Sequence, residues 1–372
     1  ALLEDCGYLA RAAFLMDRLM SQLGLSGKSF IPLLSSFACA IPGVMAARVI
    51  ENRRDRLTTI LVAPLMSCSA RLPVYALMIA AFIPNRRFVG GLLSLQGITL
   101  FCLYALGIVV AALAALVFKR TLLRGATPPF VMELPSYKWP SLRVVVHRMV
   151  ERAWSFLQRA GTLILAVSIV MWGALYYPRL SPSEAAPLLA EREVIATDLE
   201  RARADGDDVR IAALEASLNA QDVRLDGEQK RRSLLGRAGR LIEPAVRPLG
   251  WDWRIGSAVL ASFPAREVVV ASLGVIFDVG DADQEEGEGR LIDALKRATW
   301  RDSGRPLFNV PVALSVMIFF ALCAQCSSTL VVIRRETGSW WWAALSFTYM
   351  TALAYLGALA AYQVGMLVLG GA

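Results

Sequence analysis

The sequence predicts an all-α, polytopic helical membrane protein with broken or re-entrant helices in two inverted-topology repeats, plus a soluble helical-hairpin insert. Three observations predict it. Hydrophobic residues make up 56% of the 372, and mean hydropathy is +0.50, beyond the range of a soluble domain. Several apolar runs reach the roughly 20 residues that a helix needs to cross a bilayer core. The stretch from Phe30 to Tyr75 is apolar yet carries Pro32, Pro42, Pro64 and Pro73. A helix-interior proline removes a backbone hydrogen bond and strands the carbonyl four residues earlier, so Pro42 is expected to free Ala38 and Pro73 to free Ser69. In hydrocarbon such carbonyls are tolerated only where they line an enclosed or wet cavity.

Composition also excludes. The formal charge of +8 sits largely in short loops, where it serves orientation and anionic headgroups, so no nucleic-acid partner is expected. Six cysteines (Cys6, Cys39, Cys68, Cys102, Cys323, Cys326) fall almost entirely in apolar segments, which argues against a secreted disulfide framework. His147 is the only histidine, so a polyhistidine zinc or haem site is excluded. The chain opens at Ala1 without methionine or signal peptide and reads as part of something longer.

In order, Leu2 to Leu23 is helical in pattern but interrupted by Glu4, Asp5, Arg11, Asp17 and Arg18, as an interfacial or partly buried helix would be. GLSGKS at Gly24 to Ser29 resembles a phosphate loop, but Gln22 stands where the motif needs glycine and no strand precedes it. Phe30 to Ile50 is the first broken segment, Glu51 to Arg56 a basic loop, and Leu57 to Ile83 the second broken segment. Pro84 to Gly91 is a turn, and Leu92 to Phe118 a plain spanning helix. Lys119 to Arg152 is basic and ends in an amphipathic run expected on cytoplasmic headgroups. Gly161 to Tyr177 is predicted to span, ending in an aromatic belt. From Pro178 to Gly250 acidic and basic residues alternate. There Leu188, Ile195, Leu199 and Ala202 are expected to face Ile211, Leu214, Leu218 and Leu225 across an antiparallel hairpin, with the charges as a solvated face. Trp253 to Phe277 returns to the membrane, broken at Pro264 with Arg266 and Glu267 inside it. An acidic loop (Asp278 to Glu288) and a surface helix (Leu291 to Trp300) precede the predicted spans Val310 to Ile333 and Ala343 to Leu369. The domain reading is therefore 1–91, 92–177, 178–250 and 251–372.

LLSSFACAIPGVMA (Leu33 to Ala46) and VLASFPAREVVVAS (Val259 to Ser272) share an L-x-S-F core with an early break, and each precedes a cysteine- and serine-bearing segment. If both are re-entrant, Glu51 to Arg56 and Arg334-Arg335 fall inside and the insert outside, which obeys the positive-inside tendency and inverts one half relative to the other.

The chemistry follows from residue type. Cys39, Cys68 and Cys326 lie at predicted midplane depth beside prolines or small polar residues such as Ser69 and Ser327. Glu267 is the conspicuous carboxylate in an apolar run. Thiolate, carboxylate and peptide oxygen together suit a divalent transition metal better than magnesium or calcium, and ferrous iron fits. Arg71, Met45, Met66, Gln325, Pro42 and Pro73 are read as surrounding or gating residues. Cys323 and Cys326, three apart, would share a helical face, so a thiol oxidoreductase stays open as an alternative; Cys323, Cys6 and Cys102 are otherwise read as packing.

At EDCGYLARAAFLMDRLM, GLSGKSFIPLLSSFACAIPGVMAARVIENRRDRLTTILVAPLMSCSARLPVY, SFPAREVVVASLG and QCSSTLVVIRRETGSW the sequence resembles the ferrous iron transport protein B family. The resemblance implies two Gate modules with a family C-terminal segment between them, and a ferrous iron (Fe2+) permease in the bacterial cytoplasmic membrane whose path cysteines fall on Cys39, Cys68 and Cys326, with Glu267 in the second Gate motif. It also implies an N-terminal GTP-binding domain using GTP and Mg2+, small accessory Feo proteins and homo-oligomers. The given sequence holds neither G-x-x-x-x-G-K-[ST] nor N-K-x-D, so this portion is expected to be a transporter part and not an enzyme. Where the family has glycines around the first cysteine, Ser36, Phe37 and Ala38 stand here, leaving that backbone less free. Because Gate modules also resemble nucleoside-recognition regions, a nucleoside or other small-solute transporter is the other alternative.

Overall fold

The computed structural model describes residues 6–88, 93–125, 137, 139, 141–179, 181–205, 208–263, 266, 268–277, 285–300, 304–324 and 326–369. In chain order the helices are α1 (Tyr8–Gln22), α2 (Phe30–Ser36), α3 (Ala40–Ala46), α4 (Arg53–Val62), α5 (Leu72–Phe82), α6 (Leu95–Arg120), α7 (Leu142–Phe156), α8 (Thr162–Tyr176), α9 (Pro182–Asp205), α10 (Asp208–Arg232), α11 (Leu234–Val246), α12 (Trp253–Ala261), α13 (Val268–Ile276), α14 (Glu285–Arg297), α15 (Val310–Leu322), α16 (Ser327–Thr337) and α17 (Trp340–Leu369). A two-stranded antiparallel ribbon, β1 (Arg87–Phe88) with β2 (Leu93–Ser94), lies before α6. The chain divides into two compact units, one of residues 1–166, 263–267 and 309–372, the other of 167–262 and 268–308.

In the first unit, four stretches among the described residues are long and apolar enough to cross a membrane: Arg53–Phe82, Leu95–Arg120, Val310–Thr337 and Trp340–Val368. Two are continuous. At 1.5 Å per residue the 26 residues of α6 run about 39 Å. Ser94 caps its start by accepting from Gly97 N–H, and Lys119 and Arg120 in its last turn complement the helix dipole. Its outward face is apolar, with Phe101, Ile108, Val109, Leu113 and Val117 exposed, as lipid requires. The second continuous span, α17, packs on α15 through small residues. A Cβ on Gly357 would lie 3.1 Å from Ile318 and Leu322, and one on Gly365 would lie 3.0 Å from Pro311. In lipid, where hydrophobicity does not drive helices together, such close backbone approach supplies the dispersion contact.

The other two spans are interrupted. Arg53–Phe82 breaks between α4 and α5 around Met66 to Cys68, and Val310–Thr337 breaks between α15 and α16 around Cys323 to Cys326. The first was expected from Pro64 and Pro73; the second, predicted as one span from Val310 to Ile333, was not. Ahead of them α2 and α3 have seven residues each, about 10 Å apiece. Prolines set the starts of the half-helices. Pro42 is in the first turn of α3 and Pro73 in that of α5, where a backbone N–H has no intrahelical acceptor in any case. Gly43 allows α3 to fold back on α2, because a Cβ there would fall 1.9 Å from Ser36 Oγ and 2.8 Å from the Pro32 carbonyl.

The stretch Gly161 to Tyr177, predicted to span, is helical as α8. The chain enters it unbroken from α7 through a π-helical turn at Leu157–Gly161.

In the second unit, α9 and α10 form the antiparallel hairpin expected from the spacing, with Leu199 and Ala202 buried in its seam. Arg192 to Asp222 (2.5 Å) and Arg203 to Glu215 (2.8 Å) cross it at the surface, and Gln221 donates to the Leu188 carbonyl and the Glu191 carboxylate. Glycine again permits close packing where α11 meets α12, since a Cβ on Gly239 would lie 2.0 Å from Ser257 Oγ. Asp252 caps α12 by accepting from the Arg254 and Ile255 amides.

The first unit is tied at one end by a buried ion pair. Asp55 is wholly buried, its Oδ1 meets Lys119 from the end of α6, and its Oδ2 accepts no hydrogen bond. Removing one member of such a pair leaves an uncompensated charge. Asp55→Asn is therefore expected to lower stability by about 3–5 kcal/mol, read as a fall in the thermal unfolding midpoint in detergent. Asp55→Asn combined with Lys119→Met is expected to recover most of that loss.

Candidate functional site

Cys39, Cys68 and Cys326 share one local structure. Each is the residue immediately before a half-helix resumes, with extended backbone: φ −157°, ψ 136° at Cys39; φ −82°, ψ 162° at Cys68; φ −159°, ψ 101° at Cys326. All three are half-buried, whereas Cys323 is buried and Cys102 exposed. None of the six is in a disulfide. The shared position has a physical reason. The residue ahead of a helix must leave helical φ/ψ, and at an interruption its side chain therefore turns out of the helix stack.

The interruptions are joined to one another within the first unit. Ser69 Oγ donates to the Ala38 carbonyl at 3.1 Å, linking the neighbour of Cys68 to the neighbour of Cys39. The Ser327 amide donates to the Phe263 carbonyl at 3.2 Å. Arg266 donates through Nη2 to the Cys323 carbonyl, and Cys323, Cys68 and Cys326 are all among its electrostatic neighbours. At the periphery, Arg48 beyond α3 makes a bidentate pair with Glu336 near the end of α16, at 2.6 and 2.5 Å.

Arg71 takes the carbonyls of its own break. It is wholly buried; Nη2 donates to Pro64 (3.0 Å), and Nη1 to Leu65 (3.2 Å), Met66 (3.0 Å) and Ser67 Oγ (3.4 Å). Gly107 of α6 closes over this point, its Cα so near that a Cβ would lie 3.1 Å from the Leu65 carbonyl. The stranded carbonyls were expected to stand bare toward a cation. Instead Ser69 Oγ holds that of Ala38 and the Leu72 amide that of Ser69, while Arg71 takes the carbonyls of Pro64 to Met66 and Arg266 that of Cys323, none of which the sequence singled out. The reason is energetic: an unpaired peptide oxygen in a low-dielectric interior is costly, and a guanidinium within reach satisfies several at once.

The other expected residues are dispersed around this centre. Met66 is buried and Met45 half-buried, Pro42, Pro73 and Ser69 are exposed, and Ser327 is half-buried. Glu267 and Gln325 lie outside the described residues. Among the described residues no group of three or more His, Cys, Asp or Glu gathers closely enough to hold a metal ion. Cys323 and Cys326 do not share a helical face, because they flank the interruption between α15 and α16. Sequence reasoning passed over Arg266 in favour of its neighbour Glu267. Its signal was available, as a charge two residues after Pro264 inside an apolar run.

Half-helices with thiol-bearing starts among helices long and apolar enough to span define a polytopic membrane protein of the discontinuous-helix class. Comparison with known proteins narrows this. The family model described as "Nucleoside recognition" (Gate) matches residues 1–82 and 157–340, and "Ferrous iron transport protein B C terminus" matches residues 100–152. The Fe(2+) transporter FeoB of Leptospira interrogans is 41% identical, the match covering 98% of this chain and 47% of that protein. The Fe(2+) transport protein A/Fe(2+) transporter FeoB fusion protein of Porphyromonas gingivalis is 40% identical, covering 99% and 41%. The Helicobacter pylori Fe(2+) transporter FeoB is 34% identical, covering 97% and 52%. No solved structure matches. The chain belongs to the ferrous iron transport protein B family, as its Gate-bearing membrane portion, and spans about half the length of the curated relatives it matches.

The link between the first two breaks is testable. Ser69→Ala removes the donor to the Ala38 carbonyl and is expected to lower stability by about 0.5–1.5 kcal/mol, seen as a modest drop in the detergent melting midpoint with the oligomeric state unchanged.

Proposed function

We propose that this chain forms the membrane pathway by which a ferrous iron transporter brings Fe2+ across the bacterial cytoplasmic membrane, with Cys39, Cys68 and Cys326 as successive soft ligands. One observation carries the reading. Three cysteines occupy the same position before a resuming half-helix; the first two interruptions are bonded to each other, and the half-helices after Cys39 and Cys326 pack together. Thiol sulfur suits a borderline divalent ion such as Fe2+. Ligands met in turn, without a closed cage, suit passage better than retention. The printed names of the relatives support iron as the cargo.

The reading extends to the whole protein. Residues 1–91 and 251–372 are the two Gate modules, 92–177 connects them, and 178–250 is an insert. The inverted relation of the modules is supported by α3, which follows Cys39, packing on α16, which follows Cys326. Glu267 adds a carboxylate beside Arg266. In the full-length protein a GTP- and Mg2+-dependent domain drives or gates the path. The Porphyromonas fusion protein supports an accessory Feo partner, and homo-oligomers fit the family reading. The description "Nucleoside recognition" favours a nucleoside-type solute as the second reading, which binding of a nucleoside by purified protein that takes up no iron would establish.

The test is anaerobic Fe2+ uptake by the full-length protein in liposomes. With Cys68→Ser and Cys326→Ser together, uptake is expected to fall by about tenfold or more. Uptake unchanged by the pair would rule out a thiol path.

A further inference from the structure

The Arg71 guanidinium sits where several backbone carbonyls converge. The 3₁₀ turn Ala63–Leu65 and the extended backbone of Met66 (φ −60°, ψ 132°) curl three successive carbonyls toward one point. In a continuous helix successive carbonyls lie parallel and never converge. The oxygens of Pro64, Leu65 and Met66 lie 3.0–3.2 Å from the two terminal nitrogens of Arg71, with Ser67 Oγ at 3.4 Å. Cys68 is the next residue and one of the electrostatic neighbours of Arg71.

Arginine often caps carbonyls at a helix end from the surface, and three features set this one apart. The side chain is wholly buried. Among the described residues no carboxylate pairs with it, and the partners its terminal nitrogens reach there are neutral oxygens, the ligand type of a carbonyl-lined ion site. Its Nε is buried without a partner, so the protein is not built to complement the whole guanidinium; the carbonyl cluster recognises only its charged tip.

We propose that the carbonyls of Pro64, Leu65 and Met66, with Ser67 Oγ and the adjoining Cys68, form a divalent-cation subsite on the iron path that Arg71 occupies as a tethered substitute cation, closing the path until its side chain withdraws. The proposal rests on the ferrous iron reading above. Oxygen ligands followed by a sulfur fit an ion between the hard and soft classes. With the guanidinium in place, a second cation meets direct repulsion at short range.

The experiment is passive, nucleotide-free Fe2+ influx into anaerobic liposomes carrying the full-length protein, with GTP-supported uptake measured in parallel. Arg71→Ala and Arg71→Gln are expected to raise passive influx about tenfold, the factor that one charge-assisted hydrogen bond supplies, and Arg71→Lys to raise it less. Millimolar guanidinium chloride added to Arg71→Ala is expected to suppress the leak by refilling the subsite, which a purely structural role would not produce. Passive influx at the wild-type level in folded Arg71→Ala and Arg71→Gln overturns the proposal, as does a leak insensitive to guanidinium. Failure of all three variants to fold also overturns it, assigning Arg71 to the fold alone. Absence of GTP-supported iron uptake by the wild type would instead overturn the iron reading.

Discussion

Every peptide group inside a bilayer must find its hydrogen-bond partner within the protein, and that constraint explains what surrounds the interrupted helices here. Breaking a span leaves carbonyls on one side and amides on the other without their helical partners. Water cannot reach the carbonyls of Pro64 to Met66 beneath Gly107, so a buried arginine satisfies them. Cys323 is served by Arg266 from a different interruption, and Ala38 by Ser69. Each of these carbonyls is thus taken by a side chain of its own or another break.

This solution has an electrostatic consequence. Arg71 and Arg266 are buried and close enough to repel one another. The half-helices beginning at Ala40, Leu72 and Ser327 also direct the positive ends of their dipoles toward the breaks. Among the described residues both contributions are positive. The frame of α6, α15 and α17 is held by glycine contacts and by Tyr349, whose hydroxyl donates to the Leu61 carbonyl at 2.5 Å.

The hairpin of the second unit is charged on its outer faces. The ion pairs crossing between α9 and α10 are exposed, and each contributes little in water. The hairpin depends on its seam, where Leu199 and Ala202 are buried, and its charges keep the outer faces solvated.

Local properties of the chain were legible in the sequence because they are sums over neighbouring residues. Hydropathy located the spans, Pro42, Pro64 and Pro73 marked the first two interruptions, and helical spacing placed Leu199 and Ala202 in the hairpin seam. The three cysteines stood out because sulfur recurred beside helix-breaking residues. The break between Cys323 and Cys326 was not legible, since no proline or glycine occurs from Leu322 to Ser328. It exists because Arg266, about sixty residues earlier, reaches the Cys323 carbonyl, and the Phe263 carbonyl takes the Ser327 amide. The fate of the stranded carbonyls was hidden for the same reason: composition determines that a peptide oxygen in lipid needs a partner, while only the packed chain decides which distant donor arrives.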